Sequence, residues 1–168
     1  MQQAFAQVQG NPGKQEQLIP GSERKPAPNF ILTDAKGDTI NLSAYKGKVV
    51  LLDFWATWCG GCKTEIPWYI EFDGKYKDRG LAVIGVSMDE DGWKAVKPFL
   101  GLDKDPETGR HTAMKYPVVI GSDSLAKQYN LTSMPMTLLI DREGRIAVAH
   151  TGMVDKDDWE NKIRFLLK

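Results

Sequence analysis

Cys59 and Cys62 are the only cysteines in the chain, three positions apart in Phe54-Trp55-Ala56-Thr57-Trp58-Cys59-Gly60-Gly61-Cys62. The stretch before them, Val49 to Trp55, has the length and the β-branched and aromatic content of a buried strand, and Lys63 onward reads as a helix. The pair therefore falls at a strand-to-helix junction. There the first helical turn carries unpaired N–H groups and about half a positive charge. That setting favours a thiolate at Cys59, since a cysteine at a helix N-terminus can titrate well below the ordinary value of about 8.5. Cys62 follows about one turn along the same face. The chemistry this predicts is thiol–disulfide exchange, with Cys59 as nucleophile and Cys62 attacking the mixed disulfide to release the product.

Other uses of two cysteines fit less well. A zinc site needs two further ligands, and the chain offers only His111 and His150, far apart in sequence and expected at the surface. The acidic stretch Asp103 to Thr108 has Thr108 where a calcium loop requires glycine and Met114 at its twelfth position, so it reads as a turn. No metal is expected. Asn41-Leu42-Ser43 and Asn130-Leu131-Thr132 match a glycosylation triplet short enough to arise by chance.

The elements that must hold the pair can be read along the chain. Phe30–Thr33 and Thr39–Leu42 flank a turn at Lys36-Gly37-Asp38 and predict a hairpin. After the Val49 strand, the cysteine-bearing helix runs to about Asp78 and closes at Arg79-Gly80. Leu81–Val86 is a second buried strand, Trp93 to about Leu100 a helix, Val118–Ile120 a short strand and Ser124–Tyr129 a short helix. Thr137–Ile140 and Ile146–Ala149 form a second hairpin about Asp141–Gly144. Lys156–Leu167 is an amphipathic helix with Trp159, Ile163, Leu166 and Leu167 on one side. Alternating β and α units predict an α/β fold, a central sheet covered on both faces.

With 168 residues, 42% hydrophobic and 26% charged, the chain suits one domain. Its longest apolar runs fall far short of the roughly 20 residues of a membrane span. The 22 basic and 22 acidic residues balance, so no bulk field draws it to nucleic acid. Residues 1–25, rich in Gln and broken by Asn11-Pro12-Gly13 and Pro20-Gly21, are expected to be disordered, with the folded domain spanning 26–168. Ala4-Phe5-Ala6 is like the end of a secretory signal but has no apolar core before it. Two cysteines in one motif do not identify a redox compartment.

The strand followed by Trp58-Cys59-Gly60-Gly61-Cys62, together with Ser133-Met134-Pro135-Met136-Thr137 before a second strand, resembles the thioredoxin superfamily. From about Pro26 to Lys168 the chain is most similar to its TlpA/ResA-like thiol-disulfide oxidoreductases. The N-terminal hairpin and an extra αβ segment between the two motifs carry that narrower likeness. The resemblance implies a thioredoxin fold with a central mixed sheet. It also implies a cis peptide before Pro135, facing the dithiol and turning the Met134 backbone toward an extended substrate. Pro67 matches the proline of the active-site helix. Asp53, six residues before Cys59, matches the buried aspartate that in thioredoxin itself serves as base for the resolving cysteine, a departure from ResA-like members, which often have a neutral residue there, and burial should raise its pKa; a hydrogen-bonded core aspartate is the alternative. Glu65 matches an acidic position near the dithiol, either tuning it or standing solvated on the helix. Trp58, Gly60 and Gly61 would border the substrate, although Trp55 and Trp58 also suit packing roles. Gly60-Gly61 departs from the Gly-Pro, Gly-His and Pro-His versions and offers the thiolate no side chain.

Two related chemistries fail at their motifs. Sco-type copper chaperones space their cysteines one residue wider, and the peroxiredoxin pattern meets Leu52 and Ala56 where it needs proline and Ser or Thr. The resemblance thus implies a monomeric protein-disulfide reductase with no cofactor beyond the Cys59–Cys62 disulfide. Its partners would be protein disulfides or dithiols and an upstream membrane thiol donor. An extracytoplasmic site is favoured, periplasmic and membrane-anchored in the precursor, with the cytoplasm the alternative and cytochrome c maturation one use. A binding or scaffold module with an idle dithiol is the competing class.

Overall fold

The computed structural model of the protein describes residues 16–168. In chain order its elements are β1 (Ile31–Thr33), β2 (Thr39–Asn41), β3 (Val49–Trp55), α1 (Gly60–Tyr76), β4 (Leu81–Ser87), α2 (Trp93–Leu100), β5 (Val118–Ile120), α3 (Asp123–Gln128), β6 (Met136–Ile140), β7 (Ile146–Thr151) and α4 (Lys156–Leu167). β1 and β2 pair as the expected hairpin. The other five strands form one mixed sheet in the order β5-β4-β3-β6-β7, in which β3 runs parallel to β4 and antiparallel to β6.

Every residue of β3 is buried because the strand lies at the centre of a sheet covered on both faces. Its side chains alternate. Val49, Leu51 and Trp55 enter a core with Ile66, Tyr69 and Phe72 of α1, Val96 and Phe99 of α2, and Trp159 and Ile163 of α4. Val50, Leu52 and Phe54 enter a second core with Leu125 of α3 and Phe30 and Ile40 of the hairpin. Each large apolar side chain sealed in this way contributes about 1.5–3 kcal/mol, so both faces hold β3 firmly. Asp53 shares the parity of Leu51 and Trp55, which puts its carboxyl on the α1 face.

Helix ends follow local chemistry. Gly80, at φ 109°, takes the left-handed conformation that ends the helical run after α1. Asp155 caps α4 by accepting from the Asp158 N–H at 2.9 Å. Ser122 caps α3 in the same way, so that helix begins at Asp123, one residue earlier than the periodicity suggests. Pro98 lies inside the last turn of α2.

The N-terminal boundary needs correction. Residues 16–25, expected to be disordered, dock along the outer edge of β7: Ile19 N–H donates to Ala147 O at 2.8 Å and Ile146 N–H to Lys25 O at 2.8 Å. Arg24 pairs with Asp141 at 3.1 Å. An open strand edge presents unpaired backbone groups, and this segment satisfies them. The earlier part of the expected disordered segment, residues 1–15, lies outside the described residues.

Candidate active site

Cys59 ends the loop after β3 and is the N-cap of α1. Its backbone is extended there (φ −88°, ψ 110°), and its sulfur accepts from the Cys62 N–H at 3.3 Å. The two cysteines form a disulfide with their Cα atoms 5.3 Å apart. Cys59 retains 7% exposure and Cys62 none, which ranks them as expected for the attacking and the resolving sulfur. The loop before them is held by Asp89, which accepts from Thr57 N–H at 3.1 Å and from the Thr57 hydroxyl at 2.6 Å.

The Met134–Pro135 peptide is cis. Pro135 reaches the dithiol so closely that a Cβ on Gly61 would meet its Cδ at 3.4 Å and Met153 Cγ at 3.3 Å. The absence of a side chain at position 61 is therefore matched by Met153, from the loop between β7 and α4, lying over it. Trp58 is 68% exposed and borders a groove of about 720 Å³ whose walls include Thr57, Met88, Glu90 and Met134. Trp55 turns the other way, fully buried, with its ring centroid 5.4 Å from that of Phe99. Gly60 has open space where a side chain would stand.

Two carboxyls lie on the inner side of α1. Asp53 is 1% exposed, and neither of its oxygens has a hydrogen-bond partner among the described residues. Burial, and secondarily the neighbouring Glu65, drive its pKa well above the ordinary carboxylate range. Glu65 is fully buried, not the solvated helix residue of the other reading, and accepts at Oε2 from Val154 N–H at 2.8 Å. Burial raises its pKa to about 7, against smaller downward pulls from Val154 N–H, the Tyr69 hydroxyl and His150.

Further polar groups cluster here that the motifs did not single out. The Tyr69 hydroxyl pairs with Thr137 Oγ1 at 2.9 Å, and the buried Tyr116 hydroxyl has no hydrogen-bond partner among the described residues. Asp53, Thr137 and His150 occupy successive cross-strand positions on β3, β6 and β7, so all three point to the α1 face. His150 is thus no surface residue: it is 5% exposed, with Nδ1 at 2.6 Å from Glu16 and Nε2 at 3.0 Å from Met153 O. His111 is exposed, as expected, in the loop opposite Lys104. The Asp103–Thr108 turn docks on α1, where Lys63 Nζ reaches Asp105 at 3.2 Å.

Fold and site together define the thioredoxin-fold thiol–disulfide oxidoreductases: enzymes that open and close a vicinal dithiol at a helix N-terminus beside a cis-proline. Comparison places the protein more closely. The profile of the AhpC/TSA family matches residues 24–149, and the chain belongs to that family. It is 34% identical over 161 residues to the thiol-disulfide oxidoreductase ResA of Bacillus cereus, covering 95% of this chain and 86% of that one. With ResA of Geobacillus kaustophilus it shares 36% over 138 residues, covering 82% and 74%. A crystal structure from Chlorobium tepidum, assigned as the thiol:disulfide interchange protein DsbE, superposes with a TM-score of 0.76 at 30% identity, covering 86% and 97%. An exposed lipoprotein thioredoxin of Streptococcus pneumoniae does so with a TM-score of 0.69 at 29% identity, covering 83% and 100%.

Proposed function

We propose that the protein works as a reductant of protein disulfides in an extracytoplasmic compartment. The thiolate of Cys59 attacks a substrate disulfide, forming a mixed disulfide and releasing one substrate thiolate. Cys62 then gives its proton to Asp53 and attacks the Cys59 sulfur, releasing the second substrate thiolate and closing the enzyme disulfide. Two electrons have moved to the substrate, and a thiol donor at the membrane returns them. Glu65, titrating near neutrality beneath the pair, tunes the dithiol. Trp58, Gly60, Gly61 and the Met134–Pro135 segment receive the substrate backbone. The dithiol's own disulfide is the only redox group this cycle needs, and a monomer contains all of it.

The observation that carries this reading is the position of the Cys59 sulfur, N-cap of α1 at 3.3 Å from a backbone N–H, with buried carboxyls behind its partner. An N–H aimed at sulfur stabilises the thiolate, which makes Cys59 both a good nucleophile and a good leaving group. Thiol–disulfide exchange is supported by the likeness to the thiol-disulfide oxidoreductase ResA, and an external location by the likeness to an exposed lipoprotein thioredoxin. Insulin reduction by dithiothreitol tests the activity. Cys59→Ser should abolish the acceleration, and equal rates for variant and wild type would leave a binding module as the better description. The midpoint potential in glutathione buffers tests direction, since about 30 mV separates each tenfold step in equilibrium.

A further inference from the structure

One peptide unit lies between two titratable side chains. The carbonyl of Met153 accepts from His150 Nε2 at 3.0 Å, and the N–H of the same peptide, that of Val154, donates to Glu65 Oε2 at 2.8 Å. A carbonyl oxygen only accepts, so Nε2 carries a proton. The other ring nitrogen stands 2.6 Å from Glu16 Oε1, a contact short enough for a charge-assisted bond in which Nδ1 also donates. The ring is then an imidazolium clamped between a carboxylate and a carbonyl. Hydrogen bonds in series polarise one another, so a cation on the carbonyl makes the N–H across the peptide a stronger donor.

We propose that His150 is a positioning residue of the dithiol site: through the Met153–Val154 peptide it orients and strengthens the N–H that Val154 gives Glu65, while Glu16 supplies the anion that keeps the ring doubly protonated. This rests on the tuning role given to Glu65 above. The same peptide fixes the loop whose Met153 lies over Gly61, so the clamp also sets the wall beside the disulfide. The groups facing Glu65 and His150 come from every packed element: Asp53 from β3, Tyr69 from α1, Tyr116 from the segment before β5 and Glu16 from the N-terminal segment. On α4, Lys162 and Asp158 pair with each other near Glu16. His150 is the one cation reaching Glu65 in this set, and it pulls the carboxyl toward ionisation while Glu16 raises the affinity of the ring for its proton.

The test is the pH profile of kcat/KM for reduction of a synthetic peptide disulfide by the full chain, between about pH 5.5 and 9. Losing the imidazolium removes a positive charge that favours ionised Glu65. His150→Gln and Glu16→Gln should therefore each move the inflection governed by Glu65 upward by about half a pH unit or more, less than the 1–3 units of a directly contacting charge. Glu16→Asp keeps the anion and should return the profile toward wild type. In a Glu65→Gln background neither substitution should move the profile. Glu16→Gln changes only the docked segment, so the answer does not depend on His150→Gln folding. If Glu65→Gln reshapes the profile but the Glu16 and His150 variants leave it in place, or shift it equally without Glu65, the clamp is refuted and the role of Glu65 stands. If Glu65→Gln itself has no effect, both fail.

Discussion

Glu65 keeps its proton up to about pH 7 in the folded chain, whereas its ordinary value is 4.5. Between those values the folded state binds more protons than the unfolded one, so the contribution of Glu65 to stability is fully present below about 4.5 and is lost as pH rises through 7. At 1.36 kcal/mol per unit the loss is about 3 kcal/mol. Asp53 acts with the same sign, over a window that starts at its ordinary 3.8 and extends well upward. Urea unfolding of the oxidised protein should therefore show Glu65→Gln more stable than wild type at pH 8, by up to about 3 kcal/mol, with the gap closing at pH 4.5. Parallel pH dependences would contradict this. The two carboxyls differ in how far sequence reveals them. Asp53 interrupts an apolar run, and in a central strand no orientation exposes it. Glu65 sits on a helix, where burial depends on what covers that face, and Val154 lies 89 positions away. A lone histidine is harder still: the partner that explains His150 is Glu16, 134 positions distant, in a segment whose composition argues for disorder.

At the scale of elements, α1 does more than display a disulfide at its first turn. Lys63, directly after Cys62, is 8% exposed and meets Asp105 at 3.2 Å and Glu107 at 3.6 Å, so the polar turn of residues 103–108 is anchored to the active-site helix. Asp105 also accepts from the Thr108 N–H at 3.0 Å and hydroxyl at 2.6 Å. A buried ion pair is expensive to break on one side and cheap to remove whole. Asp105→Asn keeps an acceptor for Thr108 but leaves Lys63 with only Glu107, and should cost about 2–3 kcal/mol. Adding Lys63→Met should recover most of that loss in denaturant titration; an additive result would show that the two residues do not act as a pair. Strands and helices were readable here because each carries its own pattern: β3 and α4 begin and end where composition and period place them. The docking of the turn was not, since a charged loop reads the same whether it is solvated or pinned.

Over the whole molecule, the two outer strands of the sheet are β5 and β7, and the chain covers both with its own segments. β1 of the hairpin lies against β5. Along β7 and its turn run residues 16–27, with Ile19, Ala27 and the Lys25 carbonyl in backbone hydrogen bonds of 2.8–3.0 Å, the Arg24–Asp141 pair, and Leu18 packed on the core. This cover also brings Glu16 to His150, so one segment closes a sheet edge and reaches the site. Deleting residues 1–25, up to the boundary that composition suggests, removes the Ile19 and Lys25 hydrogen bonds, each worth about 0.5–1.5 kcal/mol, with the ion pair and the apolar contact. A net loss of about 2 kcal/mol lowers the melting temperature of a domain this size by about 4–8 °C. It also opens the β7 edge to pairing with other copies. The truncated oxidised protein should melt lower and form higher-order species at raised concentration, seen by differential scanning calorimetry and light scattering. Because Arg24→Ala removes the ion pair and leaves the backbone bonds, it should reproduce part of the melting shift and none of the association. A truncated chain that melts with wild type and stays dispersed would mean that β7 is stable without its cover.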